Sequence, residues 1–548
     1  MRSVILLAAT ISLAPFAAAD QGHSHGESLS SPDTLGKVVF PISCKPSVQR
    51  PFERAVAMLH SFWYEESLAA FQKIVAEDPD CAMGYWGIAM SEWHPLWYAP
   101  DATALQAGWA AIEKAKAAGS KSNRERGFVD ALESFYRDGE KLDNATRVAA
   151  YEKAVEQLHE RFPDDREVTA FYGLALITAA SPKDKTYAKQ KKAAALLQQV
   201  FTAQPDHPGA SHYIIHSFDY PELAELGLPA ARNYSEIAPA APHALHMPSH
   251  IFTRLGLWRD SIASNLSSER AAKDYEAKVK MDGVWDEQLH AMDYLAYAYL
   301  QLGEDRDAKA VVDELRTIKK VQPENVKTAY TFAALPARYA LERRNWVEAA
   351  AITSLHESEL KWPTGLTSFT RGYGLARLGD LAGARRELIA LEAVEHQMAL
   401  PKDPFWSDYI GALRRGLQAW IAHSEEHERE ALALMRSAAD LEDATDKHPV
   451  TPGSMLPMRE LLGELLLEQH DGKQALVEYE AALRRTPHRL AALYGAARAA
   501  EAAGEPAKAR TYYAQIVEQC SRADGDRTEI KQARAHAPSS AIDAGALH

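Results

Sequence analysis

Five histidines fall within forty residues of one another, at spacings that let their rings share an ion. His212 and His216 lie in SHYIIHSFDYPE; His243, His246 and His250 lie in PHALHMPSHIF. Residues i and i+4 share a helix face with Cβ atoms about 6 Å apart, so His212 and His216 can reach one ion. His243, His246 and His250 follow i, i+3, i+7 and form a second stripe. A shift of thirty-four residues carries His212 onto His246 and His216 onto His250. A shift of forty-seven aligns Gly256 with Gly303 and carries His243 onto His290 and His246 onto Asp293. The run VWDEQLHAMDYLAY thus adds two candidates. Adjacent packed helices lie about 8–10 Å apart, so the stripes can converge.

Neutral imidazole suits zinc, copper, iron and nickel. The candidate ligands are His212, His216, His243, His246, His250, His290 and Asp293, and the candidate ion is zinc, copper or iron. One ion takes about four to six ligands, so this set implies two ions, or one ion with outer hydrogen-bonding partners. Asp219, Asp293, Glu236 and Glu269 are the nearby oxygen donors, and Glu236 or Glu269 would serve as the base of a metalloenzyme. Met247 and Met292 would favour copper(I) if turned inward, but Met247 adjoins a ligand position and points about 100° away from it. The competing reading is packing: histidines held in a helical core by tyrosine, aspartate or backbone. A lone histidine would favour packing. Five, with two pairs in register, favour a metal.

Other features are weaker. His60 and His94 sit among Trp63, Trp93 and Trp97, where an aromatic cavity is conceivable and hairpin packing is the preferred reading. His423-Ser424-Glu425-Glu426-His427 matches the H-x-x-E-H pattern of one metalloprotease class. It falls between AWIA and EREALALMRSAA, where a solvated turn explains it. A Gly-rich phosphate loop, a G-x-S-x-G elbow, a dinucleotide fingerprint and a C-x-x-C-H are all missing, so neither a nucleotide nor haem is expected and no catalytic residue is assigned.

The elements that must carry these side chains are helices. Alanine is abundant and β-branched runs are scarce, which makes the fold class all-α. Helical stretches of twelve to twenty residues alternate with Gly-, Pro- or Asp-rich breaks. One signature recurs: ESLAAFQKIVAEDP from Glu66 to Pro79, AYEKAVEQLHERFP from Ala150 to Pro163, and QALVEYEAALRRTP from Gln474 to Pro487. Preceding or following helices place an aromatic before a glycine, as at Trp86-Gly87, Tyr172-Gly173 and Tyr494-Gly495. Small residues permit close helix packing, the aromatic fills the gap between hairpins, and proline stops the second helix.

On these residues the chain resembles the tetratricopeptide repeat family, from about Arg50 to Cys520. The likeness is strongest over Glu66–Gly87, Ala150–Gly173 and Leu461–Cys520, and weakest over Pro95–Lys141 and Asp274–Asp286. It implies a right-handed superhelical array of antiparallel helical hairpins, about ten by turn spacing, that holds a protein or peptide partner. The middle of the chain departs from the family pattern. His212 and His246 stand where good repeats place the aromatic before the packing glycine, which puts them in the repeat seam rather than on the open groove.

The expected organisation is a signal peptide over 1–19, a disordered or extended segment over 20–49, repeats over 50–205, His-rich central repeats over 206–304, repeats over 305–522 and a disordered tail over 523–548. Arg2, the apolar run Val4–Phe16 and Ala17-Ala18-Ala19 read as a cleavable export signal, cut after Ala19. A cut after Asp20 would instead leave His23 third, able to chelate copper(II) with the terminal amine. With no later transmembrane stretch, the mature chain is expected in the periplasm or secreted. There Cys44 and Cys81 could pair, leaving Cys520 odd. The net charge of −14 argues against nucleic acid as a partner. The expected function is an exported repeat scaffold or binding protein with a transition-metal site in its central repeats. The alternatives are a metal-dependent enzyme on the same scaffold, or a metal-free interaction scaffold.

Overall fold

Each recurring sequence signature becomes the second helix of a hairpin. They form helices Tyr64–Glu77, Asn144–Arg161 and Gly472–Arg485, which pack on first helices Ala82–Glu92, Arg166–Thr178 and Leu490–Ala502. These elements come from a computed structural model of the chain, which describes residues 34–398, 404–445 and 447–537. The expected signal peptide, His23 and the last residues of the expected tail lie outside the described residues. Among the described residues the fold is all-α, with one parallel pair of two-residue strands, Val284–Trp285 and Val321–Gln322. No described helix is long and apolar enough to cross a membrane.

The seam between hairpins is packed as the sequence requires. Gly495 faces Tyr479, whose ring lies 2.1 Å from where a Cβ would stand, so only glycine admits the aromatic there. Trp86, Tyr172 and Tyr494 are all buried. One large core runs from Leu35 to Phe252 and another from Ala329 to Ala533; the helices Trp258–Val279 and Asp286–Leu302 bridge them.

The segment expected to be disordered or extended is extended and packed in its described part, and part of the segment expected to be a disordered tail is a packed helix. Leu35, Val38 and Phe40 are buried in an extended run that precedes the first helix, Pro46–His60. At the other end, Thr528–His536 is a helix inside the expected tail, and Ile530 and Ala533 bury against the last repeat. The anchor is Arg527, which pairs with Asp305 across 222 residues of sequence. Cys44 and Cys81 form a disulfide, and Cys520 is a buried free thiol.

The array closes on itself. Trp258 Nε1 donates to the His488 carbonyl at 3.0 Å, and Arg489 reaches Glu342, Glu460 and Tyr297. Residues 447–457 lie across the central repeats: Lys447 pairs with Asp219 at 2.6 Å, Tyr294 donates to the Thr451 carbonyl, and Arg338 donates to the Gly453 carbonyl. At Gly256 the backbone has φ +68° and a Cβ would stand 2.3 Å from the Pro487 carbonyl oxygen. Gly256→Ala is therefore expected to cost about 2 kcal/mol, from left-handed strain and loss of this contact. A urea midpoint equal to that of the unsubstituted chain would show that the two parts of the array do not meet there.

Candidate metal centre

The central helices bring six histidines into two neighbouring triads. Pro208–Phe218 carries His212 and His216; Pro242–His246 and Pro248–Arg254 carry His243, His246 and His250; Asp286–Leu302 carries His290. His212, His216 and His243 form one triad and His246, His250 and His290 the other, each with its ligand nitrogens all within 4.8 Å of one another. All six are buried, His216 least so at 8% exposure. Each triad is an i, i+4 pair plus a histidine of the next repeat, placed three residues before that repeat's own pair position. In the third repeat the pair position holds Asp293, so the pattern stops after two sites.

Pro248 removes a backbone donor between His246 and His250, and the helix is interrupted at Met247. Met247 keeps helical dihedrals (φ −54°, ψ −35°), so both rings stay on one face. Their Nε2 atoms stand 3.0 Å apart. Asn265 Nδ2 donates to the Ser261 carbonyl, which turns Asn265 Oδ1 to His246 Nδ1 at 2.6 Å. His246 therefore carries its proton on Nδ1. Asp219 Oδ2 accepts from His250 Nδ1 at 2.9 Å, and Asp219 is itself held by Arg254 and Lys447. His250 carries its proton on Nδ1 too. Both Nε2 atoms thus present lone pairs to each other. The Tyr294 hydroxyl donates to the Thr451 carbonyl at 3.1 Å, its shortest contact, and stands 3.4 Å from His250 Nε2. Burial, followed by the neighbouring histidines, holds His246 well below the ordinary histidine range, and burial brings His250 down to about 4. Neither ring takes a second proton at neutral pH to relieve the contact. The third ring, His290, lies tilted with its centroid 4.1 Å from that of His246 and is likewise held neutral by burial.

In the first triad His212 is the ring whose tautomer an acceptor fixes. His212 Nδ1 donates to the His60 carbonyl at 2.6 Å, leaving the Nε2 lone pair 3.1 Å from His216 Nε2. Burial and the adjacent His216 and His243 keep His212 uncharged. His243 has no hydrogen-bond partner at either ring nitrogen; its Nδ1 lies 3.4 Å from Glu287 Oε2, itself without a partner. Lys327 fixes the other Glu287 oxygen at 2.6 Å. Asp219–His250 and Glu287–His243 are carboxylate–histidine pairs of the kind that orient metal-ligating rings. Ring centroids of His216–His250 and His243–His246 are 6.1 and 6.0 Å apart, so the triads adjoin.

Two further groups have metal-like composition but are satisfied internally. His207 Nδ1 accepts from the Ala210 amide, and its Nε2 donates to Glu167. His60 bonds the other Glu167 oxygen and the Tyr213 hydroxyl. No lone pair in that cluster is left over, so His60 is a packing residue whose carbonyl orients His212. Cys44 and Cys81 lie beside Asp78 but are spent on their disulfide.

Several sequence candidates sit elsewhere. Asp293 is not in either triad: its Oδ1 bonds Arg338 at 2.6 Å. Glu236 is exposed, and Glu269 pairs with Lys273. Met247 and Met292 are buried in apolar clusters. His94 stacks on Tyr64. His423 pairs with Glu428 and Glu468 at the end of a helix, and His427 is in the turn. Glu287 and Asn265 escape sequence reasoning; no motif marks Asn265, which meets His246 only because the following helix packs back.

Residues 466–536 match the tetratricopeptide repeat family. Solved structures similar to the chain include a monomeric mutant of IFIT1 with Gppp-AAAA, at 14% identity and TM-score 0.38, covering 79% of this chain and 90% of that one. The human IFIT1 dimer with m7Gppp-AAAA is similar at 14% identity and TM-score 0.37, covering 80% and 89%. No curated protein matches the chain in sequence.

Proposed function

We propose that this tetratricopeptide repeat scaffold binds two transition-metal ions, one at each histidine triad, and works as an exported metal-binding protein. The observation that carries the reading is the His246–His250 contact: two lone pairs 3.0 Å apart, each tautomer fixed by an acceptor on the far side of its ring. Without a cation this arrangement is repulsive. Two nitrogens at about 2.05 Å from a tetrahedral zinc would stand about 3.3 Å apart, close to this spacing. No carboxylate or thiolate belongs to either triad, which disfavours magnesium, calcium and manganese and suits copper, zinc or iron; copper binds nitrogen donors most strongly. Three protein ligands per ion leave a coordination position open, which favours metal-dependent catalysis as the second reading. The disulfide and the N-terminal sequence support export. The remaining surface of the repeats is offered to a protein or peptide partner.

The test is elemental analysis of the purified mature protein after incubation with zinc, copper or iron(II) and desalting. Two ions per chain are expected, falling to one in His246→Ala/His250→Ala and to one in His212→Ala/His216→Ala. A chain that stays metal-free with all three ions, or variants with undiminished content, would sink the reading.

A further inference from the structure

Each triad is covered by one aromatic ring that meets all three of its histidines. On the second triad this is Tyr294, with its centroid 4.7, 5.1 and 5.4 Å from those of His246, His250 and His290. Its hydroxyl stands 3.4 Å from His250 Nε2. On the first triad it is Phe62, 4.4, 5.6 and 5.8 Å from His212, His216 and His243. Phe62 is buried and has φ +54°, a left-handed conformation that is unfavourable for a bulky residue. Its turn follows the helix Pro46–His60, whose last carbonyl accepts from His212 Nδ1. One strained turn thus orients a ligand ring and lays an aromatic cover on the same triad. The cover of the second triad carries an oxygen; that of the first offers only carbon.

Charge around the first triad is restricted too. Lys327 stands 2.6 Å from both Glu287 and Asp286, so these three groups carry at most one unmatched negative charge. Asp219, on the His216 side, is matched by Lys447 and Arg254. Both His243 ring nitrogens and Glu287 Oε2 are buried without a hydrogen-bond partner. A cation on His243 Nε2 would satisfy one nitrogen and leave Nδ1–H to turn to Glu287.

We infer that the first triad is a closed, three-coordinate site for copper(I). This rests on the metal reading above. Copper(I) is a soft monovalent ion whose shell is complete with three nitrogens. Zinc takes a fourth ligand, and iron(II) and copper(II) take four or more, where Phe62 presents no donor. The cost of burying an ion grows with the square of its charge, so a divalent ion costs about four times as much as a monovalent one.

The test loads full-length His246→Ala/His250→Ala, in which the first triad alone is intact, with zinc or with copper(I) supplied under nitrogen as its acetonitrile complex. After desalting, about one copper(I) per chain is expected, and zinc at less than about a tenth of that occupancy. The bound copper should stay silent in electron paramagnetic resonance after exposure to air. Should the double variant not fold, the intact chain decides: zinc should stop at one ion per chain, and copper(I) added afterwards should add one more. Glycine accepts the left-handed conformation, so Phe62→Gly removes the cover without backbone strain. It is expected to raise zinc occupancy to that of copper(I) and to let air oxidise the bound copper to copper(II), dioxygen taking the electron. Should that variant not fold, the comparison of the two ions stands alone. Zinc held as well as copper(I) beneath Phe62, a copper(II) signal there in air, or a folded Phe62→Gly chain with unchanged preference overturns the copper(I) site alone. A chain that retains neither ion overturns the metal reading, and this one with it.

Discussion

Metal is expected to slow amide exchange in the Pro208–Phe218 and Asp286–Leu302 helices about a thousandfold per site when supplied at a thousand times its dissociation constant. An ion that binds only the folded centre adds about 4 kcal/mol under that condition. These helices report it because each carries ligand residues: His212 and His216 on the first, His290 on the second. In His246→Ala/His250→Ala the protection of Asp286–Leu302 by metal should vanish while that of Pro208–Phe218 persists, since His212, His216 and His243 form their own triad. The packing reading gives the opposite pattern. Histidines that merely fill the seam would leave exchange unchanged by metal in the intact chain, and the double alanine variant would loosen both helices alike. Hydrogen exchange separates the two by mass spectrometry on the helices themselves.

The parts of this centre that the sequence exposes are those set by local periodicity. An i, i+4 pair is a property of one helix, and the shifts of thirty-four and forty-seven residues are properties of neighbouring hairpins. Hence His212, His216, His246 and His250 were legible as pairs, and His290 followed from aligning two turn glycines. The all-α array was legible for the same reason: each hairpin contacts its neighbours in sequence. Division into two triads was not legible, because it depends on how far one helix slides along the next. Asp293 marks that limit. It occupies the register position of His246, yet the following helix presents Arg338 to it, and the carboxylate is spent on that pair. The outer partners are further out of reach. Asn265 and Glu287 face the rings only after helices pack, and Lys447 joins Asp219 from 228 residues away. That contact exists because the array folds back, which no period in the chain encodes. The helix Thr528–His536 was missed likewise: its polar sequence reads as a tail until Arg527 meets Asp305.

Metal-free protein is expected to lose stability steeply as pH falls from about 6.5 towards 4, well above the range in which its paired carboxylates titrate. The unfolded chain binds a proton at each histidine near pH 6.5. In the folded state burial holds His250 and His94 at about 4 and His448 at about 3, and it lowers His212, His216, His246 and His290 as well. Above pH 6.5 both states are neutral and these groups contribute nothing to the pH dependence. Below it the unfolded state binds more protons than the folded one, so stability falls with falling pH until the folded rings titrate in turn. His250 alone accounts for about 3 kcal/mol across this window. Asp219 behaves differently: Lys447 and Arg254 hold its carboxyl well below the usual carboxylate range, so the stability it adds disappears only under stronger acid. Urea midpoints measured from pH 7 to 4 in a chelating buffer should therefore show a slope that His250→Leu reduces by that amount. A flat profile would mean that the rings are solvated in the folded chain, in which case the lone-pair contact between His246 and His250 would have no force as a reason for binding metal.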